Sequence, residues 1–156
     1  MITIQRPSQE PLEIDSILLD FEGTIASDRR VHPNVKDKIN LLSKRAKIYI
    51  LTKAEKEHAE EVLRKVKAEI IYLTEGTSSQ RKLDLLRQLG ADRTVAIGNG
   101  VDDVPMIEEA GLGVCILGKE GTSSESMKKA DVVFMSILDA LDFLLKPLRQ
   151  KSTLGQ

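Results

Sequence analysis

Two carboxylates, Asp20 and Glu22, follow an apolar run directly and are followed by a glycine and a threonine. The run, residues 17–19, has the composition of a strand buried within a sheet. A strand that stops at a carboxylate and turns at a glycine puts that carboxylate at the carboxyl edge of the sheet, where open α/β sheets bind ligands. Acidic residues also favour turns for local reasons. The pair therefore gains weight only if other segments bring complementary groups to the same edge.

Three later segments end on residues that would complete a site for phosphoryl transfer. A second apolar run ends on Thr52, Lys82 lies near the start of a predicted helix, and residues 98–103 form an acidic, glycine-rich loop. A carboxylate can attack phosphorus and form an acyl phosphate that water then cleaves. Such a reaction between anions is helped by a divalent cation and a lysine. Asp20 and the acidic loop thus predict a magnesium site, and Thr52 with Lys82 predicts a phosphate clamp.

Each of these residues also has a simpler interpretation by itself. Asp20 could belong to a turn, Thr52 could cap the helical pattern that follows it, and Lys82 could be a solvated surface charge. The loop at 98–103 could be a glycine-rich turn with a helix cap. Separate interpretations do not explain why all four occur in this order on successive elements, and that order favours one phosphate-handling site.

Apolar strand patterns alternate with helical patterns along most of the chain. The predicted strands are residues 14–19, 47–51, 69–73, 94–97, 113–117 and 132–134. This alternation is typical of βαβ units with right-handed crossovers. It predicts an α/β fold, a three-layer α/β/α Rossmann-like sandwich with a central parallel sheet. Residues 1–5 could add a short edge strand, and the polar tail at 151–156 is expected to fray.

The composition is that of an ordinary soluble protein, and residues 1–156 are expected to form a single domain. A net charge of −1 and the absence of Trp argue against a nucleic-acid partner. The one cysteine, Cys115, lies in an apolar stretch that predicts burial and agrees with a reducing compartment. The sequence has no signal-peptide pattern and no apolar run near the ~20 residues of a membrane span. We therefore expect a cytoplasmic protein without a membrane partner.

At these residues the chain resembles the haloacid dehalogenase superfamily of phosphohydrolases. Four motifs carry the resemblance: the run DFEGT at 20–24, Thr52, Lys82 and the run GNGVDD at 98–103. Residues 82–121 are also similar to the phosphorylation domain of P-type cation ATPases. The chain looks most like the small soluble phosphatases described as P-type-ATPase-like.

The resemblance implies a magnesium-dependent phosphatase that hydrolyses phosphomonoesters or acyl phosphates through an aspartyl phosphate on Asp20. It implies that Glu22 is the general acid/base and that Asp20, Thr52 and Lys82 bind the phosphoryl group. The implied Mg²⁺ ligands are Asp20, the backbone carbonyl of Glu22, Asn99 and Asp103. Residues of second rank are Asp102, Gly23 and Lys53, the last as an alternative to Lys82.

The chain departs from the family pattern at two places. Glu22 is one methylene longer than the usual Asp, so its carboxylate is expected to be displaced from the leaving group and turnover to be modest. Asn99 stands where Asp is usual and Asp102 where Asn is usual, so the charge of the loop is unchanged.

The spacing of the motifs leaves no room for a cap domain, because each interval holds one helix and one strand. An open site suits large substrates or a neighbouring subunit that acts as a lid, and it therefore favours a homo-oligomer. The expected partner is a small phosphorylated substrate or a phosphoprotein. A rival hypothesis is a catalytically weak member that binds phosphate or a partner protein. A receiver-type signalling domain is disfavoured. Receivers accept phosphate on an Asp at the end of their third strand, whereas the third predicted strand of this chain is followed by Thr74 and Glu75. His32 is predicted in a surface loop and His58 on a solvated helix face.

Overall fold

The computed structural model describes residues 1–155, which form a six-stranded parallel sheet covered by helices and a separate two-stranded hairpin. The strands are β1 (Ile2–Ile4), β2 (Leu12–Ile14), β3 (Ser16–Asp20), β4 (Lys47–Thr52), β5 (Glu69–Tyr72), β6 (Thr94–Gly98), β7 (Leu112–Ile116) and β8 (Val132–Phe134). The helices are α1 (Pro33–Leu42), α2 (Lys56–Val62), α3 (Ser78–Leu89), α4 (Val104–Glu109), α5 (Ser124–Lys129), α6 (Ile137–Leu145) and α7 (Pro147–Leu154).

The large sheet has the strand order β5-β4-β3-β6-β7-β8, and all neighbouring strands are parallel. The chain winds outwards from β3 through β4 to β5 and then returns to the other side of β3 at β6. This reversal makes the junction of β3 and β6 a topological switch point, where α/β sheets bind ligands. The architecture confirms the predicted three-layer sandwich.

Successive side chains of the central strand point to opposite faces of the sheet and enter two apolar layers. Ile17 and Leu19 face the layer that packs against α1 and α6, whereas Leu18 faces the layer beneath α3 and α4. All three side chains are fully buried. The strand is therefore apolar on both faces, as expected for a strand enclosed between helical layers.

The amino-terminal prediction was wrong in two respects. The predicted strand at 14–19 is divided at Asp15, so that Leu12–Ile14 belongs to a hairpin and Ser16–Asp20 to the large sheet. The segment predicted as an edge strand, Ile2–Ile4, pairs antiparallel with Leu12–Ile14 instead of joining the large sheet. Ile2, Ile4 and Ile14 are all buried in the hairpin. Burial of alternate residues in a hairpin produces the same apolar alternation as an edge strand of the large sheet.

The carboxyl-terminal tail was expected to fray, but residues 151–154 belong to the last helix, Pro147–Leu154. A proline in the first turn suits a helix start, because its missing N–H would have no partner there. The Gln150 side chain is buried and donates hydrogen bonds to the carbonyls of Phe143 and Leu144, at 2.8 and 3.3 Å. These contacts fix the helix to α6. Gln156 lies outside the described residues.

The connections of the sheet agree with the expected absence of a cap domain. In the described chain, β3 is linked to β4 through a loop and α1, and β4 to β5 through α2. Cys115 is buried in β7, as predicted. Among residues 1–155, no helix is both long enough and apolar enough to cross a bilayer.

Candidate active site

The predicted residues meet at the carboxyl edge of the sheet. Asp20 is the last residue of β3 and Thr52 the last of β4, and these strands are adjacent. Asp103 follows β6 on the other side of β3. The site therefore lies at the switch point of the sheet.

Lys82 reaches this edge from α3 and is 1% exposed. Its ammonium nitrogen lies 3.0 Å from Asp20 Oδ1 and 2.7 Å from Asp103 Oδ1. Ser78, Lys82 and Leu86 recur every fourth residue on the buried face of α3, because residues at that spacing share a face. Lys82 therefore lies on the buried face of α3, and its side chain extends to the site.

Negative charge exceeds positive charge around this lysine. Burial raises the pKa of Asp20 well above its ordinary value, and the neighbouring Asp103 raises it further, despite the opposing effect of Lys82. Burial alone would lower the pKa of Lys82, but the charges of Asp20 and Asp103 outweigh burial and raise it. Lys82 is therefore charged at neutral pH, and one ammonium does not fully stabilise both buried carboxylates.

Asp102 connects the two candidate lysines. Its Oδ2 atom lies 3.1 Å from Lys82 Nζ and 3.2 Å from Lys53 Nζ, and it accepts a 2.8 Å hydrogen bond from the Ser78 hydroxyl. Burial opposes the charged form, but Lys82 and the Ser78 hydroxyl together lower the pKa of Asp102 to about 2. Lys53 also lies 3.7 Å from the exposed Glu75. Lys82 is thus the lysine in contact with Asp20, whereas Lys53 lies further out.

The backbone of the acidic loop holds Asp103 in place. Its Oδ2 atom accepts hydrogen bonds from the N–H groups of Asn99 and Gly100, at 2.9 and 3.0 Å. A Cβ atom at Gly98 would come within 2.4 Å of this carboxylate. The glycine that ends β6 therefore makes room for Asp103.

Asn99 joins the loops that follow β3 and β6. Its Oδ1 atom accepts a 3.1 Å hydrogen bond from the Thr24 hydroxyl, and its Nδ2 donates to the Gly121 carbonyl at 3.1 Å. Gly23 has a φ of +75°, a conformation that favours glycine, and a Cβ there would lie 2.5 Å from Asn99 Nδ2. Gly23 thus allows the first motif to approach the fourth.

Glu22 does not point towards Asp20 but towards the end of β4. Its Oε1 atom accepts a 2.7 Å hydrogen bond from the Thr52 hydroxyl and a 3.1 Å hydrogen bond from the Lys53 backbone N–H. The Thr52 hydroxyl also accepts a 2.9 Å hydrogen bond from the Ala54 N–H. The predicted acid/base and one predicted phosphate ligand are therefore hydrogen-bonded to each other.

A cleft of about 470 Å³ opens onto this edge. Of the predicted residues, it is lined by Asp20, Glu22, Lys53, Asn99 and Asp102, while Thr52, Lys82 and Asp103 are buried. Cleft residues that the sequence did not single out as functional include Arg29, His58, Glu75 and Glu120.

The prediction for His58 was wrong, because this residue is half-buried and borders the cleft. Its Nε2 atom is buried and has no hydrogen-bond partner among residues 1–155. One signal could have found it: α2 follows Thr52 almost directly, so its first turns must pass near the site. His32, by contrast, accepts a hydrogen bond from the Asn34 N–H and caps α1.

The donor atoms at this edge suit magnesium in type and charge. Within residues 1–155, no three His, Cys, Asp or Glu side chains converge as a complete metal site. Magnesium, however, commonly takes only one or two protein carboxylates, with water and phosphate oxygens completing its shell. Asp20 and Asp103 supply two buried carboxylates at this edge, and burial together with the charge of Asp103 raises the pKa of Asp20 despite the contact with Lys82.

Comparison with known proteins identifies the family. A family model described as haloacid dehalogenase-like hydrolase matches residues 5–111. The chain belongs to this family. An uncharacterized protein of Methanocaldococcus jannaschii is 38% identical over 82 residues, which cover 50% of this chain and 88% of that protein. The same organism has a soluble P-type ATPase-like phosphatase that is 26% identical over 86% of this chain, a match that spans half the length of that phosphatase.

Solved structures of haloacid dehalogenase-like hydrolases share the fold. A putative subfamily III A hydrolase from Legionella pneumophila has a TM-score of 0.72 at 18% identity, covering 92% of this chain and 87% of that chain. The 3-deoxy-D-manno-octulosonate 8-phosphate phosphatase from Moraxella catarrhalis, solved with magnesium and phosphate ions, has a TM-score of 0.69 at 14% identity. That match covers 87% of this chain and 88% of the other.

Proposed function

We propose that this haloacid dehalogenase-like hydrolase is a magnesium-dependent phosphatase that acts through an aspartyl phosphate on Asp20. One observation carries the proposal: the buried Lys82 ammonium contacts both Asp20 and Asp103 at the switch point of the sheet. Thr52 and the Lys53 N–H lie at the end of the neighbouring strand. A nucleophile, a fixed positive charge and hydrogen-bond donors for phosphoryl oxygens therefore share one edge.

Asp20 attacks phosphorus through a carboxylate oxygen, and the bond from phosphorus to the leaving oxygen breaks. Lys82 stays protonated and offsets the charge of the reacting groups, since its pKa is raised. The Thr52 hydroxyl and the Lys53 N–H donate hydrogen bonds to phosphoryl oxygens. Water then attacks phosphorus, which releases inorganic phosphate and restores the Asp20 carboxylate. Glu22 is the acid that protonates the leaving group and assists the water.

Asp20, Asp103 and the Glu22 carbonyl would hold Mg²⁺, with Asn99 acting directly or through water. When bound, the ion would supply positive charge that Lys82 alone does not provide. Support comes from the donor types at this edge and from the magnesium ion in the related phosphatase structure. Asp102 would act at second rank by holding Lys82 and Lys53 in position.

The substrate class is a small phosphorylated molecule. The cleft is open, and the structurally similar enzyme from Moraxella catarrhalis is a phosphatase of 3-deoxy-D-manno-octulosonate 8-phosphate. A phosphoprotein is the alternative substrate, because the open cleft would also admit a larger partner. A single domain over residues 1–156, a cytoplasmic location and a homo-oligomeric state stay predictions.

Hydrolysis of p-nitrophenyl phosphate with Mg²⁺ tests the proposal. Replacing the nucleophile in Asp20→Asn should lower kcat by at least about 10³-fold, the scale seen when a catalytic nucleophile is removed. Asp92→Asn is the matched control, since Asp92 is exposed near the opposite edge of the sheet. Equal rates for wild type and Asp20→Asn, or a rate that does not respond to chelation, would contradict the proposal.

A second candidate is a weakly active member of the family that binds phosphate or a partner protein. It is favoured by one contact, since Glu22 already occupies hydrogen-bond donors that a phosphoryl group needs. The same assay separates the two candidates. A binding module would bind orthophosphate, yet wild type and Asp20→Asn would be equally inactive.

A further inference from the structure

The end of β4 has two hydrogen-bond donors beside the cleft, and both donate to the same oxygen atom. The Thr52 hydroxyl donates to Glu22 Oε1 at 2.7 Å, and the Lys53 N–H donates to the same oxygen at 3.1 Å. Two convergent donors from a side chain and the next backbone N–H suit an anionic oxygen. We call this pair, the Thr52 hydroxyl and the Lys53 N–H, the oxyanion subsite.

The geometry points to Glu22 as an internal competitor for the oxyanion subsite, so that a phosphoryl group binds there only by displacing the Glu22 carboxylate. This inference rests on the proposed function, because it assumes that the substrate brings a phosphoryl group to this edge. It adds a role beyond acid/base chemistry: Glu22 sets the affinity of the site for phosphate.

Competition follows from the number of protons at Thr52. A hydroxyl has one O–H proton to donate. The Thr52 oxygen accepts a hydrogen bond from the Ala54 N–H at 2.9 Å, which leaves the proton directed at Glu22. Thr52 is fully buried, so its hydroxyl has little freedom to find another acceptor. The proton can therefore serve the Glu22 carboxylate or a phosphoryl oxygen, but not both in this geometry.

Charge repulsion also opposes simultaneous binding of the Glu22 carboxylate and a phosphoryl group at the oxyanion subsite. A phosphoryl oxygen at the oxyanion subsite would lie within a few ångströms of the Glu22 carboxylate, and two anions at that separation repel strongly in a partly buried site. Lys53 and Lys82 lie nearby, but both are paired with Asp102. These two lysines already offset the charge of another carboxylate, so they compensate the repulsion between the two anions less than free lysines would.

The length of the side chain makes this contact. Glu22 lies in the loop just after β3, and its isolated bridge to Ala26 fixes the backbone there. The carboxylate reaches the oxyanion subsite across the gap between neighbouring strands. Aspartate on the same backbone would be one methylene shorter and would not reach both donors. Glu22→Asp therefore keeps the charge but loses the contact.

Titration calorimetry with inorganic orthophosphate at a fixed, saturating Mg²⁺ concentration tests the inference. Glu22→Gln and Glu22→Asp should each bind orthophosphate about tenfold more tightly than wild type, since a charge-assisted hydrogen bond no longer competes. Glu120→Gln is the matched control, because it removes a carboxylate from the same cleft without a contact to Thr52. Its dissociation constant should stay within about twofold of wild type.

A coupling measurement separates direct competition from a general change in charge. In a Thr52→Val background, Glu22→Gln should change the dissociation constant much less than it does in wild type, because the shared donor is absent. Unchanged or weaker orthophosphate binding by both Glu22 variants would overturn the inference, as would an equal gain in Glu120→Gln or no detectable binding by any variant. These outcomes do not depend on turnover. Failure of the Asp20→Asn assay would therefore reject the phosphatase without deciding the competition at Thr52.

Discussion

The two edges of the sheet carry ion pairs of different kinds. At the carboxyl edge, Lys82 contacts Asp20 and Asp103, and the three side chains are 1%, 7% and 0% exposed. At the amino edge, Arg93 pairs with Asp15, and each of these side chains is nearly half exposed. The exposed pair joins the segments that precede β3 and β6, whereas Lys82 on α3 bridges Asp20 at the end of β3 and Asp103 after β6.

The difference between the edges is a difference in desolvation. A buried ion pair gives up hydration that its attraction need not recover, yet removing one partner leaves an uncompensated charge in the interior. An exposed pair gains little, because water and salt screen it. The carboxyl edge is therefore held at a cost in stability, which is typical of functional sites, whereas the amino edge is an ordinary surface.

The largest expected effect at the carboxyl edge comes from Lys82→Met. This change leaves Asp20 and Asp103 buried without their cation, and it should lower the free energy of unfolding by about 3–5 kcal/mol at neutral pH. Urea denaturation followed by circular dichroism measures the loss. Lys53→Met is the control, since one-third of the Lys53 side chain is exposed, and its loss should be about 1 kcal/mol or less. Equal losses would remove the distinction between buried and exposed cations.

An intermediate effect is expected for Asp102→Asn, which should change how the free energy of unfolding depends on pH. The pKa of Asp102 is depressed to about 2 in the folded protein, so its contribution is present above the unfolded value near 3.9 and is lost as pH falls towards 2. Wild type should lose about 1–2 kcal/mol through this group across that window, and Asp102→Asn should show a shallower slope.

Asp15→Asn is the matched control for that measurement. Arg93 also lowers the pKa of Asp15, but this pair lies in solvent, so its removal should leave the acid slope almost unchanged. A slope that responds to Asp15 as strongly as to Asp102 would contradict the comparison of the two edges.

The smallest expected effect is that of Asp20→Asn, which should raise the free energy of unfolding. The pKa of Asp20 is raised by burial and by Asp103, so the folded protein favours the neutral form and ionisation of Asp20 costs stability as pH rises through its folded pKa. Asp20→Asn should therefore stabilise the protein at neutral pH by about 1 kcal/mol, although it should abolish turnover. The gain should shrink as pH falls to about 4, where the unfolded carboxyl is also protonated. Thermal unfolding at the two pH values measures it, and a destabilised Asp20→Asn at neutral pH would contradict this account.

The sequence predicted the structure best where a local pattern of residues is compatible with only one arrangement. Apolar strands bounded by helical patterns correctly predicted the parallel sandwich, and strand ends correctly brought Asp20, Thr52 and the acidic loop to one edge. Local pattern failed where two pairings bury the same residues. Ile2 and Ile4 fit an edge strand as well as a hairpin, and only the pairing with β2 decides between them.

The sequence itself determined the family motifs and the edge of the sheet at which they meet. Strand direction fixes which ends of a parallel sheet converge, so residues that follow successive strands lie at the same edge. Tertiary structure alone decided which lysine contacts Asp20, where the Glu22 carboxylate rests and that His58 borders the cleft. These contacts depend on side-chain reach between segments that are distant in sequence: 62 residues separate Lys82 from Asp20, and 30 separate Thr52 from Glu22. Chain order does not encode such distances, since they arise only when helices and strands pack.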